Sequence, residues 1–162
     1  MIDLSIVVPI FNVQDYLEAC LASVEAALLP AFTAEVLCID DGSTDSSGQI
    51  AQSFATRDSR FRVITQVNGG YGKAINTGMR AARGRFVTIV ESDDVILPQA
   101  YPALLALLER DETLDFVKTP TSPSRSTAPA LKCRCLLTAR PPPPCSSSPP
   151  DRCGRGLSLT TA

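Results

Sequence analysis

The 162 residues suit one domain with room for a real core, and the composition, 44% hydrophobic and 20% charged, is that of an ordinary globular protein. A formal net charge of −2 offers no bulk attraction for nucleic acid. With no histidine anywhere, His-based zinc sites and His-dependent triads are excluded, and acid–base work falls to carboxylates, Lys or Tyr.

The opening MIDLSIVVPIF has no basic stretch ahead of its apolar run, so it does not read as a signal peptide. No apolar segment is long enough to span a bilayer, which makes a cytoplasmic location the default and leaves peripheral membrane association open. The averages hide a break near Thr119. Residues 1–118 carry 16 of the 17 acidic side chains and nine of the 15 basic ones. Residues 119–162 hold one acid, Asp151, with nine of the 13 prolines and four of the six cysteines.

A first strand is expected over residues 4–8, stopped by Pro9. Val13, Tyr16, Leu17, Cys20, Leu21, Val24 and Leu28 then recur at the spacing of a helix with one apolar stripe. Residues 35–39 read as a second strand ending in Asp40 and Asp41, and Ser43 or Thr44 is the expected N-cap of a helix through Ile50 and Phe54. Residues 61–64 give a third strand and Asn68-Gly69-Gly70 a turn. A third helix follows, with Tyr71, Ala74, Ile75, Gly78, Met79 and Ala82 at helical spacing, Lys73 and Asn76 near its start and Gly84 past its end. The apolar run from Phe86 ends in Glu91, Ser92, Asp93 and Asp94. Pro98 suits the first turn of a fourth helix carrying Tyr101, Leu104, Leu105 and Leu108, and residues 114–117 begin one more strand. Strands alternating with helices predict βαβ units, and so an α/β fold with a mostly parallel sheet flanked by helices.

Beyond Thr119 no period survives, and Pro/Ser/Arg-rich runs such as PPPP and CSSSPP predict disorder. Cys133, Cys135, Cys145 and Cys153 match no zinc spacing, and a cytoplasmic chain does not favour disulfides. The chain therefore divides into a domain over 1–118 and a low-complexity tail over 119–162. The abrupt change is what a shifted reading frame in G+C-rich DNA produces, so the domain is expected to be incomplete.

In a parallel sheet the loops leaving successive strands open on one edge and can line one cleft. Phe11 offers a flat face for a base, Asp41 an acceptor for a base or ribose donor, and Gly69 and Gly70 a close backbone approach. Lys73 brings a cation towards phosphate. Glu91, Asp93 and Asp94 repel one another unless neutralised, and a divalent cation holding a phosphate does this. Each also has an ordinary reading: Phe11 as core, Asp40 and Asp41 as turn and cap residues, Gly69-Gly70 as a tight turn, the acids as a solvated loop. A phospho-acceptor receiver domain fits less well, because its acidic pair would follow the first strand, where Pro9-Ile10-Phe11-Asn12 stands. A dinucleotide site lacks glycine in the first βα turn and a third glycine at Ile75.

The ordered set VVPIFN, CIDDGSTDSS, NGGYGKAINTGM and GRFVTIVESDD resembles the N-terminal half of family 2 glycosyltransferases with the GT-A fold, over nearly all of residues 3–118. The resemblance implies inverting transfer of a sugar from a nucleotide-diphosphate donor, UDP-linked by default, to a hydroxyl of a glycan or lipid-linked acceptor. It further implies a place in polysaccharide, lipopolysaccharide or glycolipid synthesis. Pro9, Phe11, Asn12, Asp40 and Asp41 would then lie at the base and ribose, Lys73 and Asn76 near the phosphates or ribose. Asp93 and Asp94 would contact the ribose and hold Mn²⁺ or Mg²⁺ on the diphosphate. Glu91 stands where the family usually has Asp and is the weaker ligand. No catalytic base is identified, since nothing after Val117 matches the acceptor half. The alternative expectation is accordingly a nucleotide-sugar-binding fragment without turnover.

Overall fold

The computed structural model describes residues 2–28, 30, 32–110, 116–118, 136–139 and 156–158. The chain alternates β1 (Leu4–Ile10), α1 (Gln14–Ala27), β2 (Ala34–Asp40), α2 (Ser47–Arg57), β3 (Phe61–Thr65), α3 (Tyr71–Ala81), β4 (Phe86–Ile89) and α4 (Ala100–Arg110). Three short strands follow: β5 (Phe116–Lys118), β6 (Leu136–Ala139) and β7 (Gly156–Ser158). They form one sheet in the order β3-β2-β1-β4-β6-β5-β7. β1 lies between β2 and β4 and runs parallel to both, β3 is parallel to β2, and β6 is antiparallel to β4 and β5.

Burial of every residue of β1 explains its unbroken apolar run, which a strand covered on both faces requires. Leu4, Ile6, Val8 and Ile10 join α1, α2 and α4 in the larger cluster, with Leu17, Phe54 and Tyr101. Val7 faces the other way, with Leu37, Ile39, Ala74 and Val87 beneath α3. The strand period of two thus sends alternate residues to opposite layers. α3 rides close to the sheet at Gly78, where an added Cβ would lie 2.3 Å from Val7 Cγ1.

Several expectations are corrected. Pro9 does not stop β1 but pairs within it, opposite Ile39. Its missing N–H falls on the β4 side, and the β1–β4 register ends at Val7 and Ile89, so no ladder bond is lost there. Tyr16 is 60% exposed rather than part of the buried stripe of α1. Neither Ser43 nor Thr44 caps α2, which begins at Ser47; both serve the loop after β1 instead. Pro98 lies ahead of α4, two residues before its start. Within the stretch 119–162, expected to be disordered, the short apolar run Leu136–Ala139 pairs with β4 and Gly156–Ser158 with β5, so these two segments extend the sheet. The rest of that stretch, including all four of its cysteines and Asp151, lies outside the described residues.

Candidate functional site

The loops that leave β1, β2, β3 and β4 enclose a cleft of about 280 Å³ at one rim of the sheet. Pro9, Ile10, Phe11 and Val13 line it from the first loop, and Asp41 from the second. Asn68, Gly70, Tyr71 and Ala74 come from the third, and Glu91 and Ser92 from the fourth. Phe11 and Tyr71 remain 47% and 54% exposed, so two aromatic faces are open to a ligand.

The alternation along β2 separates the two adjacent aspartates. Asp40 continues the face of Val36 and Cys38, towards α2. Its Oδ1 accepts from the Ser43 backbone N–H at 2.9 Å, and a Cβ on Gly48 would come within 2.9 Å of its Oδ2. Asp41 turns instead to the α3 side and the cleft. Only 2% exposed, it accepts from Gln66 Nε2 at 2.6 Å and from the backbone N–H groups of Gly69 (3.1 Å) and Gly70 (2.8 Å). The Gln66 amide is oriented by Thr77, whose hydroxyl donates to Oε1 at 2.7 Å. Burial pushes the Asp41 carboxyl up, but the bonds from Gln66, Gly69 and Gly70, with the nearby Lys73 charge, outweigh it and hold the group below the usual carboxylate range. An ionised, acceptor-only group therefore stands in the wall of the cleft. Gly70, at φ 85°, adopts a conformation a side chain would strain, and this lets its N–H point at Asp41.

Asn12 ties the first two loops together. At φ 51° its Oδ1 accepts from the Thr44 N–H at 2.8 Å, and its own N–H donates to Ser43 Oγ at 3.2 Å. Asp45 does what Ser43 and Thr44 were expected to do: its carboxylate accepts from the Ser47 N–H at 2.9 Å and the Gln14 N–H at 3.1 Å, at the starts of α2 and α1. Lys73 is exposed on the first turn of α3, with Nζ donating to the Val67 carbonyl at 3.3 Å. Asn76 is exposed further along the same helix.

At the end of β4, the Asp94 N–H donates to the Glu91 carbonyl at 3.0 Å, folding the acids into a tight turn. Asp93 is exposed and Asp94 is buried, 7% accessible. The Cys20 thiol of α1 lies beneath this turn, 3.5 Å from the Glu91 carbonyl. Burial, then the charges of Asp94, Asp93 and Glu91, push its pKa up to about 12, which keeps it an unreactive thiol. The Glu91 carboxylate accepts from the Tyr71 hydroxyl across the cleft.

The structure thus brings Pro9, Phe11, Asp41 and Glu91 to one cleft, with Asp93 and Asp94 on the turn that supplies its fourth side. Asn12, Asp40, Lys73 and Asn76 are not among the lining residues, although Asn12 and Asp40 brace the loops that supply them. Sequence reasoning did not single out Tyr71, Asn68, Val13, Ala74 or Ser92. Tyr71 and Ala74 were placed on a helix face, and the turn geometry that points Tyr71 at Glu91 has no sequence signal beyond its position after Gly70.

A mostly parallel α/β sheet with an aromatic and acidic cleft at the strands' carboxyl ends is the arrangement of an α/β domain of the GT-A kind. The Glycosyl transferase family 2 model matches residues 5–135, and the chain belongs to this family. It is 40% identical over 113 residues to the uncharacterized glycosyltransferase EpsJ of Bacillus subtilis (strain 168), covering 70% of this chain and 32% of that protein. It is 44% identical over 95 residues to glycosyltransferase GlyG of Streptococcus pneumoniae serotype 4, covering 57% and 31%. Among solved structures, S. aureus TarS 1-349 in complex with UDP-GlcNAc superposes with a TM-score of 0.70 at 27% identity, covering 78% of this chain and 36% of that one. The chain therefore spans about a third of the length of the curated relatives it matches. Among the described residues no helix is long and apolar enough to cross a membrane.

Proposed function

We propose that the cleft binds a nucleoside-diphosphate sugar, UDP-linked by default, and that the domain serves transfer of the sugar, with inversion, to a glycan or lipid-linked hydroxyl. The observation that carries this reading is the pairing of Phe11 and Asp41 at the cleft wall, a flat apolar face beside a buried ionised acceptor. A pyrimidine base meets both needs, stacking on the ring and donating its N–H to the carboxylate. The cleft is at the small end for a ligand pocket, so base and ribose fill it while diphosphate and sugar extend past the acidic turn. Support also comes from the relative TarS, at 27% identity, which was solved with UDP-GlcNAc.

The donor set suits Mn²⁺ or Mg²⁺. Among the described residues no three metal-binding side chains gather into a cage. A cation of this type is commonly held by one or two carboxylates together with the substrate's phosphates, so a cage is not required. Asp93, exposed at the tip of the turn, is the first candidate ligand, and buried Asp94 the second. When bound, the cation would supply charge stabilisation for the departing nucleoside diphosphate. The chain's own residues do the rest: Asp41 and Phe11 orient the base, and Lys73 brings positive charge to the same rim. No residue of this chain is assigned as the base that takes the acceptor hydroxyl's proton, and the chain covers about a third of its relatives' length. For that reason a second reading stands, in which the chain binds the donor without transferring its sugar.

Calorimetric titration of the 162-residue chain with UDP, GDP and dTDP, with and without Mn²⁺, tests the reading. Saturable UDP binding that strengthens with Mn²⁺ is expected. Equal indifference to all three nucleotides contradicts it, and sugar transfer to added acceptors decides between the catalytic and the binding-only forms.

A further inference from the structure

The acidic turn is tied to the molecule from two sides. From α1, Cys20 reaches the Glu91 carbonyl, and Ser23 Oγ accepts from the Ile96 N–H at 3.1 Å. These contacts hold the backbone of the turn from below. From α3, the Tyr71 hydroxyl takes the Glu91 carboxylate. Tyr71 is the first residue of α3 and follows Gly70, whose N–H is held by Asp41. A continuous path of bonds therefore runs from Asp41 through Gly70 and Tyr71 to Glu91, joining the second, third and fourth loops of the cleft.

Length matters in this path. An aspartate at position 91 would carry its carboxylate about 1.5 Å short of where Glu91 places it, too far for a hydrogen bond to a phenol that stays put. The glutamate that departs from the family's usual residue is thereby matched to a tyrosine on the opposite wall.

We propose that Tyr71 is a positioning residue which, through Glu91, fixes the acidic turn against the loop before α3 and so sets the width of the cleft for a nucleotide. Glu91 is then a partner of Tyr71 rather than a cation ligand, and the cation is left to Asp93 and Asp94. The inference rests on the nucleotide reading for its purpose, but the clasp itself can be tested without ligand.

Hydrogen exchange of the Asp94 and Ile96 amides in the full chain reads the turn directly. Tyr71→Phe and Glu91→Asp are each expected to speed that exchange by about 3- to 10-fold, the worth of one hydrogen bond, with a melting temperature lower by only a few degrees. The double variant should exchange no faster than either single one. Glu91→Gln keeps the length and a carbonyl acceptor, so it should retain the slow exchange. A similar loss is expected in UDP affinity for Tyr71→Phe and Glu91→Asp, a readout that a merely structural contact would not move where the chain stays fully folded. Unchanged exchange in Tyr71→Phe overturns the proposal, as does Glu91→Gln behaving like Glu91→Asp, because reach alone would then not hold the turn. A wild-type chain that binds no UDP would sink the nucleotide reading, while exchange alone would still decide the clasp.

Discussion

Two buried carboxylates, one at each rim of the sheet, show how similar groups are put to different ends. Glu35, at the start of β2, is 3% exposed. It accepts from Ser5 Oγ at 2.7 Å and the Arg83 N–H at 2.7 Å, and is ion-paired with Arg83 at 3.0 Å and Arg62 at 3.5 Å. Burial pushes its carboxyl up, but the bonds from Ser5 and Arg83 prevail and hold it below its ordinary value. Asp41, at the opposite rim, is just as buried and is also held low, yet chiefly by neutral amides of the neighbouring loop, with a smaller contribution from the Lys73 charge. Glu35 joins β1 to the segment leading into β4, and it is not among the residues that line the cleft. Asp41 lines a cleft beside an exposed aromatic ring. Burial and a depressed pKa are common to both carboxylates; what separates them is that Asp41 faces a cleft.

The contrast can be broken by substitution. Glu35→Ala should have the largest effect on stability, about 3 kcal/mol in a denaturant titration, because it strands Ser5 and the Arg83 N–H. Only the buried part of the network counts in that figure, since both arginines are largely solvent-screened. UDP affinity of the folded fraction should be unchanged. Asp41→Asn should cost less stability, about 1–2 kcal/mol, but should weaken UDP binding by about 10-fold or more in calorimetry, since a carboxylate then becomes a group that also donates. Acid sharpens the comparison. Both carboxyls are lower in the folded chain than in the unfolded one, where they sit near 4.5 and 3.8. Their stabilisation is complete above those values and is lost as pH falls through the lower folded ones. The melting temperature should therefore drop below about pH 4.5, and more steeply in the parent chain than in Glu35→Gln. The smallest stability effect belongs to Asp93→Asn, within about 0.5 kcal/mol for an exposed turn residue. That variant should nonetheless lose the gain in UDP affinity that Mn²⁺ gives.

Much of the fold was legible because β1, β2 and β4 are buried on both faces and so carry unbroken apolar runs, while the helices between them keep one stripe. Pro9 was misread because a proline inside a central strand is costly unless the ladder beside it has ended, and where β4 stops pairing is not written in local sequence. Ser43 and Thr44 have the right chemistry for capping, but Asn12 of the first loop takes both hydroxyls. Asp45, the residue after Thr44, accepts from the first N–H of α2 instead. Leu136–Ala139 was passed over because four residues carry no period, although β4 offers an edge to pair with. At the rim, the gathering of Phe11, Asp41 and the acidic turn followed from parallel topology alone. The opposite destinations of Asp40 and Asp41 follow from strand alternation, which was available in the sequence and not applied to them. Tyr71 was beyond reach, since its part depends on the left-handed turn at Gly70 and the reach of Glu91.

The most direct measurement is a crystal structure of the chain grown with UDP and Mn²⁺. Uracil is expected against Phe11 with its N–H on Asp41, the Tyr71–Glu91 bond intact, and Mn²⁺ on Asp93 beside the diphosphate. Nucleotide bound away from that rim, or a base that leaves Asp41 engaged only with Gln66, Gly69 and Gly70, would contradict it.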